Sequence, residues 1–290
     1  MSDDRTRIKK IEVMVAETVR ETHDTATLIF FTGNDQLIYK PGHFVTIDPH
    51  QFPALERWIA FLEDSKGRKE PPRAYSLYSS PHEKHLAITV KEERYQSGRT
   101  KYPPLLSPIL VHRLQRGTRI ELTGFTGPYT LPDDIESRTD HLVHICAGSG
   151  MVPNLSIIKH ALHHGKKLRH TLLYGNKTWD DTIYRSEIEQ LERDHPDQIK
   201  VVHALTREPS PSAHPGTVVN GRVNEELIRA HVDGLDEAEF YVCGPAITRH
   251  ERTAAAEQNE EPAPRFMETV LGGLDAIGIG SDRIHRESYG

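Results

Sequence analysis

Cysteine is scarce in this chain of 290 residues, which contains only Cys146 and Cys243. The two lie far apart in the sequence, and two cysteines are too few for a disulfide framework. They also cannot ligate an iron–sulfur cluster, which needs about four cysteines. We therefore expect no iron–sulfur domain within this sequence, and we expect a reducing compartment, the cytoplasm.

Long apolar runs and basic tracts are absent as well. No stretch approaches the roughly 18 apolar residues that a membrane-spanning helix needs. No apolar run of the signal-peptide kind follows the opening MSDDRTRIKK. The net charge is −6, and no basic tract stands out. We therefore expect neither a membrane span nor a nucleic-acid partner.

Histidine, in contrast, is abundant, with 18 residues. His163-His164 and the scattered others lack a tight ligand pattern such as H-E-x-x-H. The sequence therefore predicts no metal site.

Short β-rich runs separated by turn residues fill the first half of the chain. Glycine and proline punctuate them, as in Pro41-Gly42 and Gly127-Pro128. Many short strands at this spacing are typical of an antiparallel barrel. The predicted strands are Ile11–Val19, Ala26–Phe31, Phe44–Asp48, Ala74–Tyr78, Leu86–Lys91 and Arg119–Thr123.

Strand and helix patterns alternate after residue 139, which predicts a parallel sheet with helices on its faces. The predicted strands are Leu142–Ala147, Thr171–Tyr174, Ile199–Leu205 and Phe240–Cys243, and the predicted helices are Pro153–His164, Tyr184–Arg193, Val223–His231 and Pro245–Gln258. The polar stretch Glu136–Asp140 is the expected linker. We therefore predict two domains, a β-barrel over 1–138 and an α/β domain over 139–290.

The segment Pro49–Pro72 interrupts the barrel pattern and is too long for a hairpin. Its apolar residues Phe52, Leu55, Ile59 and Leu62 fall on one helical face. Two interpretations remain open: a short helix packed on the barrel, or a lid or docking surface.

A glycine-containing turn, Gly148–Pro153, follows a predicted strand and opens a predicted helix. Glycines there let the backbone approach a phosphate closely, and the helix N-terminus offers unpaired N–H groups. Pro153 suits the first helical turn, where its missing N–H costs nothing. An ordinary strand–helix turn could have the same residues, but the place of this one, at the first turn of an alternating domain, favours a dinucleotide pyrophosphate.

Two cations follow neighbouring strands of the same domain. Lys177 follows the second strand, and Arg207, in Thr206-Arg207-Glu208, follows the third. Ligands of open parallel sheets bind at the carboxyl ends of the strands. The pair could therefore bind a 2′-phosphate, and solvated surface cations are the alternative.

The barrel half carries its own candidate site. In Arg73-Ala74-Tyr75-Ser76 a cation, an aromatic ring and a hydroxyl share one strand, although an ordinary edge strand could contain the same residues. Downstream, Ser107-Pro108 has the signature of a helix start, which offers a second pyrophosphate site.

Taken in order, these motifs resemble the ferredoxin–NADP(H) reductase family over nearly the whole chain. Members pair an FAD-binding barrel with a pyridine-nucleotide domain. The segments that carry the resemblance are Pro41–Val45, Arg73–Ser76, Gly124–Leu131, Gly148–Pro153, Tyr174–Lys177 with Thr206–Glu208, Cys243–Pro245 and Glu287–Tyr289.

The resemblance implies roles for individual residues. Arg73 is expected on the FAD pyrophosphate, Tyr75 against the flavin and Ser76 near its N5 atom. Cys243 is expected near the nicotinamide, and Tyr289 is expected to cover the flavin. The candidate catalytic residues are Ser76, Cys243, Glu287 and Tyr289. The other cofactor-binding residues that we assign are Ala74, Thr89, Val90, Lys91, Ser107, Gly148, Ser149, Gly150, Pro153, Lys177, Thr206, Arg207, Gly244 and Pro245.

The chain departs from the family pattern at three places. The family's G-x-x-S becomes Gly98 and Ser107, nine positions apart, so we carry the serine role to Ser107 and leave Gly98 open. Lysine replaces arginine at position 177. The Pro49–Pro72 segment has no counterpart that we can assign.

The resemblance implies an FAD-dependent NADPH oxidoreductase that passes electrons to a separate acceptor, a ferredoxin or an oxygenase component. Two alternatives stay open. One is a reductase of free flavin or of a small molecule, and the other is an electron-relay subunit of a larger complex.

Overall fold

Six antiparallel strands make up the first half of the computed structural model, which describes residues 10–33, 37–97 and 100–289. The strands are β1 (Lys10–Thr22), β2 (Thr25–Phe31), β3 (Phe44–Ile47), β4 (Arg73–Ser76), β5 (Leu86–Lys91) and β6 (Arg119–Thr126), in the order β4-β3-β6-β1-β2-β5. A bridge between Leu77 and Ile88 joins the two edges and closes the predicted barrel. Gly98 and most of the opening segment lie outside the described residues.

The segment between β3 and β4 forms a helix that packs on the barrel. Two short 3₁₀ turns lead into α1 (Glu56–Lys66), which ends at Gly67 in a left-handed conformation. Ile59 and Leu62 of α1 are buried, as are Phe52 and Leu55 before it, and all four join the barrel core. The predicted helical face is therefore confirmed, and burial in the core favours the packed-helix interpretation.

The second half is a parallel six-stranded sheet with helices between its strands. The strands are β7 (His141–Ala147), β8 (Arg169–Asn176), β9 (Ile199–Leu205), β10 (Thr217–Asn220), β11 (Glu239–Pro245) and β12 (Ile284–Tyr289), in the order β10-β9-β8-β7-β11-β12. The helices of this half are α3 (Met151–His163), α4 (Arg185–Asp194), α5 (Glu225–His231), α6 (Arg249–Glu257) and α7 (Phe266–Ile277). One further helix, α2 (Ser107–His112), belongs to the first half and lies between β5 and β6.

The sequence analysis misplaced one helix and missed three elements. The prediction of a helix from Pro245 to Gln258 is wrong at its start, because Pro245 still belongs to β11 and α6 begins at Arg249. The side chain of Thr248 caps α6 by accepting a hydrogen bond from the Glu251 N–H. The missed elements are β10, α7 and β12.

Buried polar contacts join the two halves. Ser80 Oγ donates to the Ser156 carbonyl (2.6 Å), and Ser156 Oγ donates to the Ser79 carbonyl (2.9 Å). Lys159 Nζ of α3 pairs with Glu83 Oε2 of the barrel half at 2.9 Å. These contacts hold α3 against the loop before β5. The domain boundary at 138/139 stays a prediction.

Within the described residues, no helix combines the length and the apolar character that crossing a membrane requires.

Candidate active site

A cleft of about 730 Å³ lies at the carboxyl ends of the parallel strands. This is the edge where open α/β sheets bind ligands. Residues from five strand ends and from the segment before α7 surround it. Those that the sequence analysis assigned are Lys91, Gly148, Ser149, Lys177, Thr206, Pro245 and Tyr289.

The turn between β7 and α3 fits closely against the neighbouring strand. Gly148 has φ +54°, a left-handed conformation that favours glycine. A Cβ on Gly150 would overlap the Cys243 carbonyl oxygen and lie 2.7 Å from the Tyr289 hydroxyl oxygen. Pro153 lies in the first turn of α3, whose N–H groups have no partner within the helix. The turn therefore has the close approach and the N–H groups that an anion needs.

Hydrogen bonds from polar side chains stabilise this turn. Tyr174 donates its hydroxyl to the Gly148 carbonyl at 3.0 Å. Asn154 Nδ2 donates to the Gly150 carbonyl at 2.8 Å, and Asn154 Oδ1 accepts from the Tyr129 hydroxyl at 3.0 Å. Because the Gly148 and Gly150 carbonyls accept these hydrogen bonds, the conformation of the turn does not depend on a bound ligand.

Ser76 of the barrel meets Glu287 of the parallel sheet. Ser76 Oγ donates to Glu287 Oε1 at 2.9 Å, and Glu287 lies beside Cys243 in the register of β11 and β12. Burial raises the pKa of Glu287, and the hydrogen bond from Ser76 offsets part of that rise. Glu287 Oε2 is buried without a hydrogen-bond partner among the described residues. The structure thus brings three of the four predicted catalytic residues together at the junction of the two halves.

Tyr289, the fourth, lies in strand β12 beside Pro245. Its hydroxyl donates to the Ala147 carbonyl at 3.2 Å and its side chain lines the cleft. Burial raises its pKa well above the ordinary value, so the phenol keeps its proton. The Tyr289 ring lies against the glycine turn. A nucleotide bound at this turn would have to displace the ring.

Arg73 is already paired within the barrel half. Its guanidinium donates to Glu70 Oε2 at 2.6 Å and to the Pro71 carbonyl at 2.7 Å. Glu70 is 1% exposed and also pairs with Lys66 Nζ at 2.5 Å. The 49–72 segment therefore supplies the carboxylate that positions Arg73. Tyr75 packs against the barrel core and Ala74 is exposed.

The other assigned barrel residues have different surroundings. Thr89 is buried, and its hydroxyl accepts from the Tyr184 hydroxyl of the other half. The Val90 side chain is buried in the barrel core. Lys91 lines the cleft, and its Nζ lies 3.0 Å from Asp24 Oδ1. Ser107 begins α2, a six-residue helix, and its Oγ accepts from the Glu93 N–H at 3.0 Å.

The predicted 2′-phosphate residues lie side by side at the strand ends. The Arg207 N–H donates to the Lys177 carbonyl at 2.7 Å, and both side chains are exposed. Lys177 and Thr206 line the cleft. The structure adds Arg222, which lines the same cleft after β10 and which the sequence analysis missed because it missed that strand.

Phe266 is a second residue that the sequence analysis missed. It begins α7 and packs on Gly244, where a Cβ would lie 2.7 Å from Phe266 Cε1. The apolar spacing of Phe266, Met267, Val270 and Leu274 after a proline-containing stretch was the signal for this helix. The close fit fixes Gly244 beside Pro245, and both Pro245 and Phe266 line the cleft.

Comparison with known proteins agrees with this arrangement. The sequence profile of the oxidoreductase NAD-binding domain matches residues 144–251. The ferredoxin reductase component of 3-ketosteroid-9-alpha-monooxygenase from Mycolicibacterium smegmatis is 28% identical over 296 residues, covering 100% of this chain and 68% of that protein.

Two solved structures share the fold. The FAD/NAD binding domain of nitric oxide dioxygenase from Vibrio cholerae has a TM-score of 0.70 at 21% identity, with 98% of this chain and 100% of that chain covered. A ferredoxin–NADP⁺ reductase variant from Plasmodium falciparum has a TM-score of 0.68 at 18% identity, with 97% and 96% covered. The predicted fold, an antiparallel barrel followed by a parallel α/β sheet, is confirmed.

This chain spans about two thirds of the length of the curated ketosteroid relatives that it matches, between 65% and 68%. Those proteins therefore contain a further part to which none of these residues corresponds.

Proposed function

We propose that this chain, which belongs to the ferredoxin–NADP(H) reductase family, is an FAD-dependent oxidoreductase that accepts a hydride from NADPH and passes electrons to a separate protein. The contact between Ser76 and Glu287, next to Cys243, carries the proposal. It joins the barrel strand assigned to the flavin to the strands assigned to the nicotinamide. The flavin and the nicotinamide would therefore meet at the junction of the barrel and the parallel sheet.

The residues present fit FAD on the barrel side. The Ser76 hydroxyl and Glu287 Oε2, which has no partner among the described residues, offer polar atoms for a flavin edge. Arg73, which Glu70 and the Pro71 carbonyl hold in place, would use the remaining N–H groups of its guanidinium for a phosphate. FAD, when bound, supplies the hydride-accepting ring and the capacity to release electrons singly. The protein holds that ring, orients the nicotinamide and controls protons at Ser76 and Glu287.

The glycine turn fits the pyrophosphate of the nucleotide. Gly148 and Gly150 let the backbone approach closely, and α3 presents its N-terminus at the same place. We propose NADPH over NADH because Lys177, Arg207 and Arg222 supply cations at neighbouring strand ends.

Replacing Arg207 with alanine should weaken NADPH use by roughly 10- to 100-fold, because a hydrogen bond to a charged group contributes about 1.5–3 kcal/mol and about 1.4 kcal/mol is tenfold. NADH use should barely change, since NADH lacks the 2′-phosphate. Steady-state kcat/KM with both nucleotides measures the effect. Arg193→Ala, which removes one positive charge from the exposed face of α4, is the control. Equal losses with NADPH and NADH would mean that Arg207 is structural.

Tyr289→Ser should strengthen nicotinamide binding, because the ring now lies in the cleft where the nicotinamide must enter. Aromatic stacking contributes about 0.5–1.5 kcal/mol, so the preference for NADPH over NADH should fall roughly 2- to 10-fold. A stronger charge-transfer band on nucleotide titration should accompany it. Tyr289→Phe keeps the ring and removes the hydroxyl with its hydrogen bond to Ala147, so it should behave like the parent. Unchanged spectra and nucleotide preference in Tyr289→Ser would contradict this role.

The acceptor that we propose is a ferredoxin or an oxygenase component. The support is the relative described above, which is the reductase component of a monooxygenase. Turnover with such an acceptor protein should fall as ionic strength rises, because charged surfaces steer the encounter. Saturation with free riboflavin-type substrates instead would indicate a free-flavin reductase. Failure of the purified protein to oxidise NADPH would indicate an electron-relay subunit.

We also propose a cytoplasmic location. Both cysteines are buried free thiols, although β7 and β11 place them opposite each other in register. Reduced cysteines fit a reducing compartment.

A further inference from the structure

Histidines gather where the barrel half meets α3, outside the proposed active site. His82 lies in the loop before β5, and His160 and His164 lie in the last turn of α3 and just after it. Each offers one ring nitrogen, and these nitrogens all lie within 4.8 Å of one another. Nothing in the proposed electron transfer uses them.

The geometry of the cluster follows from the elements that carry it. His160 and His164 are four residues apart, so their rings share one helical face, with centroids 4.2 Å apart. The His82 ring comes from the other half of the molecule, 6.3 Å and 6.1 Å from these two rings. His163 stacks on His82 at 3.8 Å and supports that ring. A pair of histidines on one helix and a third from an opposing loop is an arrangement suited to metal ligation.

The hydrogen-bonding pattern leaves nitrogen atoms of these rings available for a metal ion. His164 Nδ1 donates to the His160 carbonyl at 2.9 Å, which fixes the tautomer whose Nε2 keeps a free lone pair. His82 Nδ1 and His160 Nδ1 are buried without a partner among the described residues. Burial, helped by the neighbouring histidines, lowers the pKa of His160 to about 4. The neutral form of an imidazole ring is the one that binds metal ions.

We propose that His82, His160 and His164 form a binding site for a divalent transition-metal ion, Zn²⁺ above all, that links the barrel half to α3. Three imidazole nitrogens match the donor preference of zinc, and the exposure of His164 leaves a fourth position for water. Zinc–nitrogen bonds of about 2.0–2.1 Å require ligand atoms about 3.3 Å apart in a tetrahedron, so the rings must move closer together on binding. Rotation of the side chains supplies that movement.

The adjacent charges permit a cation at this position. Lys159, next to His160, is the nearest competing positive charge in sequence, and its Nζ is already paired with Glu83 and lies 3.8 Å from Glu187 Oε1. It also lies 3.7 Å from the centre of the Tyr78 ring. The metal ion would thus add a second link beside an existing ion pair across the same interface. This proposal rests on the fold and is independent of the proposed electron transfer.

The test is titration of untagged, chelator-treated protein with Co²⁺ and with Zn²⁺. We expect the visible absorption of tetrahedral cobalt with one ion per chain, and zinc should displace the cobalt. His82→Ala, His160→Ala and His164→Ala should each weaken zinc binding by at least roughly 10-fold. His85→Ala, an exposed histidine of the same loop, should bind like the parent.

Thermal unfolding gives a second readout that does not depend on electron transfer. Zinc should raise the unfolding temperature of the parent and of His85→Ala but not that of His164→Ala, whose exposed side chain can be removed without harm to the fold. No tight equivalent of metal in the parent, or unchanged affinity in the folded His164→Ala variant, would overturn the proposal.

Discussion

Replacing Gly150 with alanine is expected to slow flavin reduction by NADPH at least roughly 100-fold while FAD content stays unchanged. The new Cβ would overlap the Cys243 carbonyl oxygen and lie 2.7 Å from its carbonyl carbon. Because that carbonyl belongs to the backbone of β11, it cannot rotate away, and the glycine turn must move. A displacement of about 1 Å at a positioning element can cost on the order of 100-fold in rate.

Stopped-flow absorbance at the flavin band measures this reduction directly. Gly175→Ala is the matched control: it lies at the same strand edge, and its Cβ would have ordinary contacts, the nearest at 3.6 Å. It should reduce at a rate close to that of the parent. A folded, flavin-loaded Gly150→Ala protein with a normal rate would show that the turn does not position the nucleotide.

Ser76→Ala is expected to slow the same hydride transfer roughly 100-fold. The change removes the hydroxyl proposed at the flavin edge and takes from Glu287 its hydrogen-bond donor, although Oε2 already has none among the described residues. A hydrogen bond to a charged group contributes up to about 3 kcal/mol, which corresponds to roughly 100-fold. FAD should stay bound, because Arg73 and its partner Glu70 are untouched.

Two further variants separate chemistry from structure at this contact. Glu287→Gln keeps an acceptor for the Ser76 hydroxyl, so it should slow hydride transfer less than Ser76→Ala does. Ser288→Ala removes an exposed hydroxyl from the same strand and should have no effect. Equal rates for Ser76→Ala and the parent, with full flavin content, would remove Ser76 from the reaction.

Local patterns predicted the layers of this protein well. Ile199–Leu205 was predicted as a strand and is β9 with the same bounds, because a short apolar run in an alternating domain is a strong local signal. Strands at the edges of the parallel sheet were harder to predict from the sequence. β10 is short and only partly buried, and β12 alternates intermediate and exposed residues, so neither gives a continuous apolar run.

Contacts between distant segments could not be predicted from local patterns. The resemblance implied that Ser76 lies near the flavin and that Glu287 is a candidate catalytic residue, but it did not predict their direct hydrogen bond, which spans 211 positions. Cys146 and Cys243 are far apart in the sequence, yet parallel pairing places them opposite each other. The sequence predicted no metal site because it lacks a continuous motif, whereas the fold brings His82 to His160 and His164.

The central claim is that this chain binds FAD and reduces it with NADPH. Anaerobic titration of the purified protein with NADPH, followed by extraction of the cofactor, tests it most directly. The account predicts a yellow protein with one FAD per chain whose flavin absorbance is bleached by one equivalent of NADPH. Well-folded protein that yields only FMN or no flavin, or bound FAD that NADPH does not bleach, would contradict the account.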